Sequence, residues 1–153
     1  MRRNETENLE TGQTLVEFAM VMLLFLTLIL GIVEFGRALW TWNTIAQATR
    51  AGARFAAVEV PTSDDMRIMK VVAYNDPNAG ASSTPVVPGL TEANVRVRYL
   101  NNDGSVAANK NLADLIEISV INYQFTFLVP FFGSQIALPS FTTCLPLEGL
   151  GAT

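Results

Sequence analysis

The chain has 153 residues, of which 50% are hydrophobic and 16% charged, and its mean hydropathy is +0.30. This composition excludes a disordered tail and an ordinary freely soluble domain, and a net charge of -4 excludes a basic field that would attract nucleic acid. Because histidine is absent and Cys144 is the only cysteine, the chain has no Ser-His-Asp or Cys-His catalytic set, no histidine-ligated metal and no internal disulfide. We expect its partners to be protein or lipid.

The first strong feature along the chain is an uncharged apolar segment between Glu17 and Glu34. Extended to residues 15–36, it would form a helix of about 33 Å, long enough for a bilayer core of roughly 30 Å. A cleavable secretory signal has a shorter apolar region that ends at a small-x-small site, whereas this segment continues towards Trp40 and Trp42, which suit an interfacial belt. The sequence predicts a membrane-spanning helix over residues 13–36.

The helical pattern continues beyond the predicted span. We predict one helix from Thr14 to Glu59, ended by Pro61, whose first half is apolar all round and whose second half is amphipathic. An inward stripe is predicted to face a partner surface, with a more polar side opposite. The predicted stripe comprises Phe35, Leu39, Trp42, Ala46, Thr49, Ala53, Ala57 and Val60, and the opposite side comprises Arg37, Thr41, Thr44, Gln47 and Ala51.

The rest of the chain predicts a small head that packs on this stripe. A short helix capped by Ser63 is expected to stop before Asp76, and a loop rich in Ser, Gly, Ala and Pro follows at residues 75–89. The inner face of this helix is predicted to hold Met66, Met69, Val72 and Ala73.

Three strand signals come after the loop. Alternation predicts a strand from Val95 to Tyr99 and a central strand over residues 115–128, and a last strand over residues 135–144 is confined to an edge or a bulge by Pro139. On the central strand Ile116, Ile118, Val120, Asn122 and Gln124 would share one side, and Glu117, Ser119, Ile121, Tyr123 and Phe125 the other. The predicted fold class is α+β: a long N-terminal helix packed on a small antiparallel sheet.

The N-terminal end of the apolar segment carries the most informative residues. A hydrophilic stretch ends in Gly12, and Glu17 lies five residues beyond it. A carboxylate at the bilayer edge costs about 1 to 3 kcal/mol, which argues for a partner. If the chain is cut after Gly12, the new amino group of Gln13 lies one helical turn from Glu17, and in a bundle the glutamate of one subunit could equally meet the amine of its neighbour. A plain membrane anchor with an acid near its start is the alternative.

Three segments, GQTLVEFAMV at 12–21, GIVEFGR at 31–37 and ATRAGARFAA at 48–57, resemble the TadE-like pseudopilin family of tight-adherence (Tad/Flp) pilus systems. Residues 123–133, with Tyr123-x-Phe125 and Pro130-Phe131-Phe132-Gly133, are a looser match to the terminal strand and turn of that family.

The resemblance implies a pilin-like protein with a leader at 1–12, a transmembrane helix at 13–36 and an extracytoplasmic head at 37–153. A prepilin peptidase would cut between Gly12 and Gln13 in the inner membrane, and Glu17 and Phe18 would serve assembly. The implied function is a minor pilin or pseudopilin of a pilus assembly or secretion system. Implied partners are other pilins, the assembly platform and the lipid bilayer, without nucleic acid, cofactor or metal. The alternative is an unprocessed, membrane-anchored binding module.

Four residues flank the predicted membrane exit and the helix beyond it. Glu34 and Arg37, three apart, could pair on one helix face or be solvated separately. Arg50 and Arg54 could contact lipid head groups or a neighbouring subunit, although a solvated flank is the commoner arrangement. The turn at 101–104 makes a poor calcium loop because Tyr99 and Lys110 occupy its terminal ligand positions.

Cys144 could bridge two subunits, although a lone thiol is more often buried and inert.

Overall fold

A computed structural model describes residues 3–59, 64–108, 110–129 and 133–147. These residues form a long helix and a head built from a second helix, two one-turn 3-10 helices and two small antiparallel sheets. The predicted α+β fold, with a long N-terminal helix packed on a small antiparallel sheet, is confirmed. The elements are α1 (Arg3–Val58), α2 (Met66–Tyr74), β1 (Val95–Leu100), β2 (Leu115–Val120), β3 (Gln124–Thr126), β4 (Gln135–Ala137) and β5 (Phe141–Pro146), with the 3-10 turns at Glu92–Asn94 and Lys110–Leu112.

Helix α1 is longer at its start than the sequence predicts. It begins at Arg3 rather than Thr14 and runs through Gly12 without a break. The helix ends at Val58, one residue before the predicted end, and the predicted helix stop at Pro61 and cap at Ser63 lie outside the described residues.

The main sheet has the order β1-β2-β5, with every pair antiparallel. Strand β2 is therefore central, as predicted for residues 115–120. Val97 pairs with Ile118 on one side, and Ile118 pairs with Thr143 on the other. Ile116, Ile118 and Val120 are almost fully buried and form the face that packs on α1.

The predicted single strand over residues 115–128 is wrong beyond Val120. Asn122 has a φ of 55°, in the left-handed region that asparagine tolerates better than most residues. This residue interrupts the extended chain, so that the next strand, β3, pairs with β4 in a separate sheet. The alternation also changes phase: Tyr123 and Phe125 are buried, not Asn122 and Gln124.

The predicted last strand is also divided. Strand β4 ends at Ala137 and pairs with β3, whereas β5 begins at Phe141 and forms an edge of the main sheet. Pro139 lies between the two strands, where its missing N–H removes no hydrogen bond from either ladder. Instead of a bulge, Pro139 marks the point where the chain passes from the small sheet to the main sheet.

Helix α2 packs against α1 through part of the predicted face. Val72 and Ala73 are fully buried as predicted, but Met66 is 47% exposed. Ile68 and Val71 are buried as well. The buried face of α2 is therefore rotated about the helix axis, by about one residue position, from the predicted face. A left-handed residue, Asn75, ends the helix with its N–H donated to the Val71 carbonyl at 2.9 Å.

The stripe predicted on the second half of α1 is right in its middle and wrong at its start. Thr49 and Ala53 are buried, but Phe35 is 66% exposed and Leu39 47% exposed. Thr41, which was predicted to point outward, is 4% exposed. The last predicted member of the stripe, Val60, lies outside the described residues. At the start of this half the large side chains therefore lie on the surface, and small side chains let the head approach the helix.

Gly52 shows how closely the head approaches. A Cβ atom added at this position would lie 2.3 Å from Cγ2 of Val72 on α2. Val72 is itself fully buried and stiff at its branched Cβ. A glycine is consequently required where α1 and α2 cross.

Candidate assembly and membrane-exit site

Residues 15–33 of α1, called the rod below, are apolar except for Glu17, Thr27 and Gly31, and the described part of the chain buries none of them. Of the described helices, α1 is the one long and apolar enough to cross a membrane, and no part of its most apolar window is buried by the protein. A core helix of a soluble domain would be mostly buried. The rod therefore fits a single-pass membrane anchor.

Gln13 and Glu17 lie on one face at the start of this rod. The side-chain amide of Gln13 donates to Oε1 of Glu17 at 3.1 Å, and both side chains are exposed. Phe18 is 62% exposed beside them. Cleavage after Gly12 would free the backbone nitrogen of Gln13. The structure places Gln13 within one helical turn of the Glu17 carboxylate, and the two residues form an exposed polar site on an apolar surface.

Gly12 lies inside α1, where glycine is unfavourable compared with alanine by about 1 kcal/mol. A Cβ atom at this position would meet nothing within 4 Å. The fold itself therefore gives no reason for glycine at residue 12.

Glu34 lies at the end of the rod, where the sequence predicts that the helix leaves the membrane, and with its contacts it is called the membrane-exit site below. Its side chain is almost fully buried, and Oε2 accepts a hydrogen bond from Nη1 of Arg37 at 2.6 Å. Oε1 accepts the backbone N–H groups of Leu128 at 3.0 Å and Val129 at 3.3 Å. Both carboxylate oxygens have hydrogen-bond partners, which offsets the cost of burying this polar side chain next to the apolar rod.

Arg37 links this carboxylate to the head. Its guanidinium carbon lies 5.2 Å from the centre of the Phe125 ring, a favourable cation–π distance. Nearby, the Tyr123 hydroxyl donates to the Pro88 carbonyl at 2.9 Å. Burial raises the pKa of Tyr123, and the charge of Arg37 opposes this rise.

The glutamate–arginine pair was visible in the sequence, but the loop that completes it was not. Leu128 and Val129 contribute backbone groups only, and they lie more than ninety positions from Glu34 along the chain. No side-chain pattern marks such a contact. The one available signal was an acidic residue at the end of an apolar segment, where a partner is energetically required.

Arg50 and Arg54 lie on an exposed flank of α1, away from the membrane-exit site. They line an open groove of about 470 Å³ together with Thr44, Gln47 and Asn75. In the described part of the chain neither arginine forms an ion pair. Their predicted contact with lipid head groups or a neighbouring subunit stays a prediction.

At the far end of the head, a carboxylate joins three elements. Asp65 accepts a hydrogen bond from the Tyr99 hydroxyl at 2.9 Å and forms an ion pair with Lys110. Burial is the main cause of the raised pKa of Tyr99, and this hydrogen bond raises the pKa further.

Among residues 3–59, 64–108, 110–129 and 133–147, no three acidic or cysteine side chains are grouped as metal ligands.

Cys144 is exposed, so the expectation that its thiol is buried is wrong. Its position on edge strand β5 explains this, because Cys144 pairs with Glu117 on the outward face of the sheet. The thiol is accessible to reagents in the folded head.

Comparison with known proteins gives one match. No curated protein and no solved structure is significantly similar to the chain. The family model described as TadE-like protein matches residues 12–54, from the glycine before the rod to the second arginine of the groove. The match confirms the resemblance of this segment to the TadE-like family and indicates a protein associated with Tad pili.

Proposed function

We propose that the chain is a minor pilin or pseudopilin subunit of a Tad/Flp-type pilus assembly or secretion system. A prepilin peptidase removes residues 1–12, and the mature chain assembles through its N-terminal helix. The observation that carries this proposal is the uncovered apolar rod with Glu17 near its start. The rod is stored in the bilayer before assembly and packs against the rods of other subunits afterwards. The role is structural, without a catalytic residue, cofactor or metal.

In this proposal the N-terminus is cytoplasmic and the head is extracytoplasmic. The partners are other pilins or pseudopilins, the prepilin peptidase and the inner-membrane assembly platform. The head, which begins at residue 37, is large compared with the very short major pilins of Tad systems, and this favours a minor subunit.

Glu17 supplies the specificity of assembly. In a bundle of rods its carboxylate leaves the lipid interface and is buried, which is costly unless a cation pairs with it. The amino group freed at Gln13 is such a cation, and it projects from the same region of each subunit. Pairing between the glutamate of one subunit and the amine of its neighbour fixes the stagger of the helices.

Substitution of Glu17 tests this role. Glu17→Ala should leave membrane insertion unchanged, because it removes a costly group from the bilayer edge, and should reduce co-purification with partner pilins at least tenfold. Glu17→Gln keeps an acceptor for the Gln13 amide at the same position but removes the charge. If charge pairing drives assembly, both variants fail equally.

One control variant accompanies the experiment. Glu10→Ala removes a carboxylate from the proposed leader and should not affect assembly of the processed protein. Wild-type co-purification by Glu17→Gln would show that a neutral hydrogen bond suffices, and wild-type co-purification by Glu17→Ala would overturn the assembly role.

The second candidate is an unprocessed membrane anchor that carries a binding head. The groove at Arg50 and Arg54 favours it, because two cations that form no ion pair with a described residue, beside an open groove, suit an acidic ligand. This candidate does not require Glu17 or a free Gln13 amine. Full function in Glu17→Ala combined with loss of function in Arg50→Ala would select it.

A further inference from the structure

The membrane-exit site fixes how close the head lies to the bilayer. Glu34 follows Val33, the last residue of the uncharged segment, and lies within the predicted span 13–36. The backbone of Leu128 and Val129 is hydrogen-bonded directly to this side chain. Part of the head is therefore held at the level where the helix leaves the membrane.

The surface held at that level is apolar. Leu128 is 70% exposed, and Ile136 on the adjacent strand β4 is 50% exposed. Phe125 and Phe127 of the same hairpin pack edge to face, with ring centres 5.4 Å apart. Residues 127–129 contain no charged or hydrogen-bonding side chain. Exposed leucine and isoleucine side chains next to a membrane span suit lipid better than water.

We propose that the membrane-side hairpin, meaning β3, β4 and residues 127–129, is a second contact of the protein with the lipid bilayer. Leu128 enters the bilayer interface beside α1, and the backbone of the loop replaces water as hydrogen-bond donor to Glu34. The occupant of this surface is lipid, because the surface continues the apolar rod at the end of the span. The inference requires membrane insertion but not pilus assembly.

The head provides a matched control position at its opposite end. The Val120 end of β2 pairs with Phe141, whose ring lies 4.7 Å from that of Trp42 near the membrane side of α1. The other end of the sheet holds Leu100, which forms a bridge with Val106. Val106 is 67% exposed, nearly the same as Leu128, but lies away from the bilayer.

Lipid quenching of a fluorophore tests the proposal on the full chain. Cys144→Ser removes the exposed native thiol, and Leu128→Cys or Val106→Cys then provides one attachment site for an NBD fluorophore. Each labelled chain is reconstituted alone in phosphatidylethanolamine and phosphatidylglycerol vesicles, with or without brominated acyl chains. We expect quenching at residue 128 to be at least threefold stronger than at residue 106, with a blue-shifted emission at residue 128 only.

Equal quenching at the two positions, whether weak or strong, would overturn the proposal. Weak quenching at both positions would mean that the hairpin surface does not contact lipid and is left for a protein partner. Strong quenching at both would mean that the whole head lies on the membrane nonspecifically. Ile136→Cys gives a second reporter on the same hairpin, and it should behave like residue 128. Adding Glu17→Ala should not change the quenching, so that failure of the assembly proposal and failure of this one are distinguishable.

Discussion

The two halves of α1 belong to one unbroken helix but have opposite surroundings. From residue 12 to residue 26 every side chain is exposed, whereas residues 34–56 contribute a buried face to the head. Residues 15–33 carry mainly large apolar side chains on all sides of the helix. The second half buries small residues and Ile45, whereas Phe35 and Trp40 are exposed.

The comparison shows that hydrophobicity alone does not identify the packed face of this helix. The head needs close approach, which threonine, alanine and glycine allow. Large side chains are placed where lipid or other subunits can accommodate them. The same contrast separates the two glutamates, because Glu17 is exposed on the rod and Glu34 is buried under the loop of the head.

The largest difference between the halves should come from removing one large side chain from each. Ile45→Ala empties a fully buried site and should lower the free energy of unfolding of the head by about 2–5 kcal/mol. Leu24→Ala, at a position that is 72% exposed on the rod, should not change it. Denaturant unfolding of the detergent-solubilised chain, followed by near-ultraviolet circular dichroism, measures both, and equal effects would contradict the comparison.

The two glutamates should differ next. Glu34→Ala leaves Arg37 and two backbone N–H groups without their acceptor and should destabilise the head by about 1–3 kcal/mol. Glu17→Ala should leave the stability of the head unchanged, since it contacts no part of it. The same unfolding measurement applies, and an unchanged midpoint for Glu34→Ala would show that the loop is not held by this carboxylate.

A smaller effect is expected from the glycines. Alanine favours a helix interior over glycine by about 1 kcal/mol, but at Gly52 the added Cβ meets the Val72 side chain, and overpacking costs about 1–3 kcal/mol. Gly52→Ala should therefore give a net loss of about 1 kcal/mol. Gly36→Ala, where nothing lies within 4 Å of the added Cβ, should instead give a gain of up to about 1 kcal/mol.

A second substitution tests the cause of that loss. Shortening the facing residue with Val72→Ala should make Gly52→Ala neutral or stabilising in the double variant, relative to Val72→Ala alone. A loss that persists without the Val72 methyl groups would rule out this contact as its cause.

The smallest effect concerns the tyrosines, all three of which lie in the head. The pKa is raised for Tyr74 by its hydrogen bond to Glu92, and for Tyr99 and Tyr123 by burial. Because the folded pKa lies above the unfolded value near 10, this contribution to stability is complete below pH 10 and is lost as pH rises further. Absorbance at 295 nm should show tyrosinate forming at higher pH in the folded chain than in denaturant. Coincident titration curves would contradict the hydrogen bond of Tyr74 and the burial of Tyr99 and Tyr123.

The sequence predicted the elements whose signals are local. The apolar rod, the end of α1 and the strand at Val95 follow from composition, periodicity and Pro61. The glycine, glutamate and arginine positions of residues 12–54 also indicated the resemblance to the TadE-like family, and the match confirms it for this segment.

The rest depended on contacts between distant residues. The break at Asn122 follows from one left-handed residue, which a pattern of alternation cannot reveal. The buried face of α1 was misplaced because Phe35 and Leu39 look like core residues, whereas the head required small side chains. The donors to Glu34 are backbone groups and carry no sequence signature.

The central claim is that the rod is made available for assembly by cleavage after Gly12. Intact-mass analysis and N-terminal sequencing of the protein recovered from membranes and from sheared pili test it most directly, with Gly12→Val as a variant that the fold accommodates in open space. The account predicts that the wild-type chain begins at Gln13 and accompanies pilins, and that the variant begins at Met1 and does not. A wild-type chain that still begins at Met1 and is found only as an isolated anchor would contradict it.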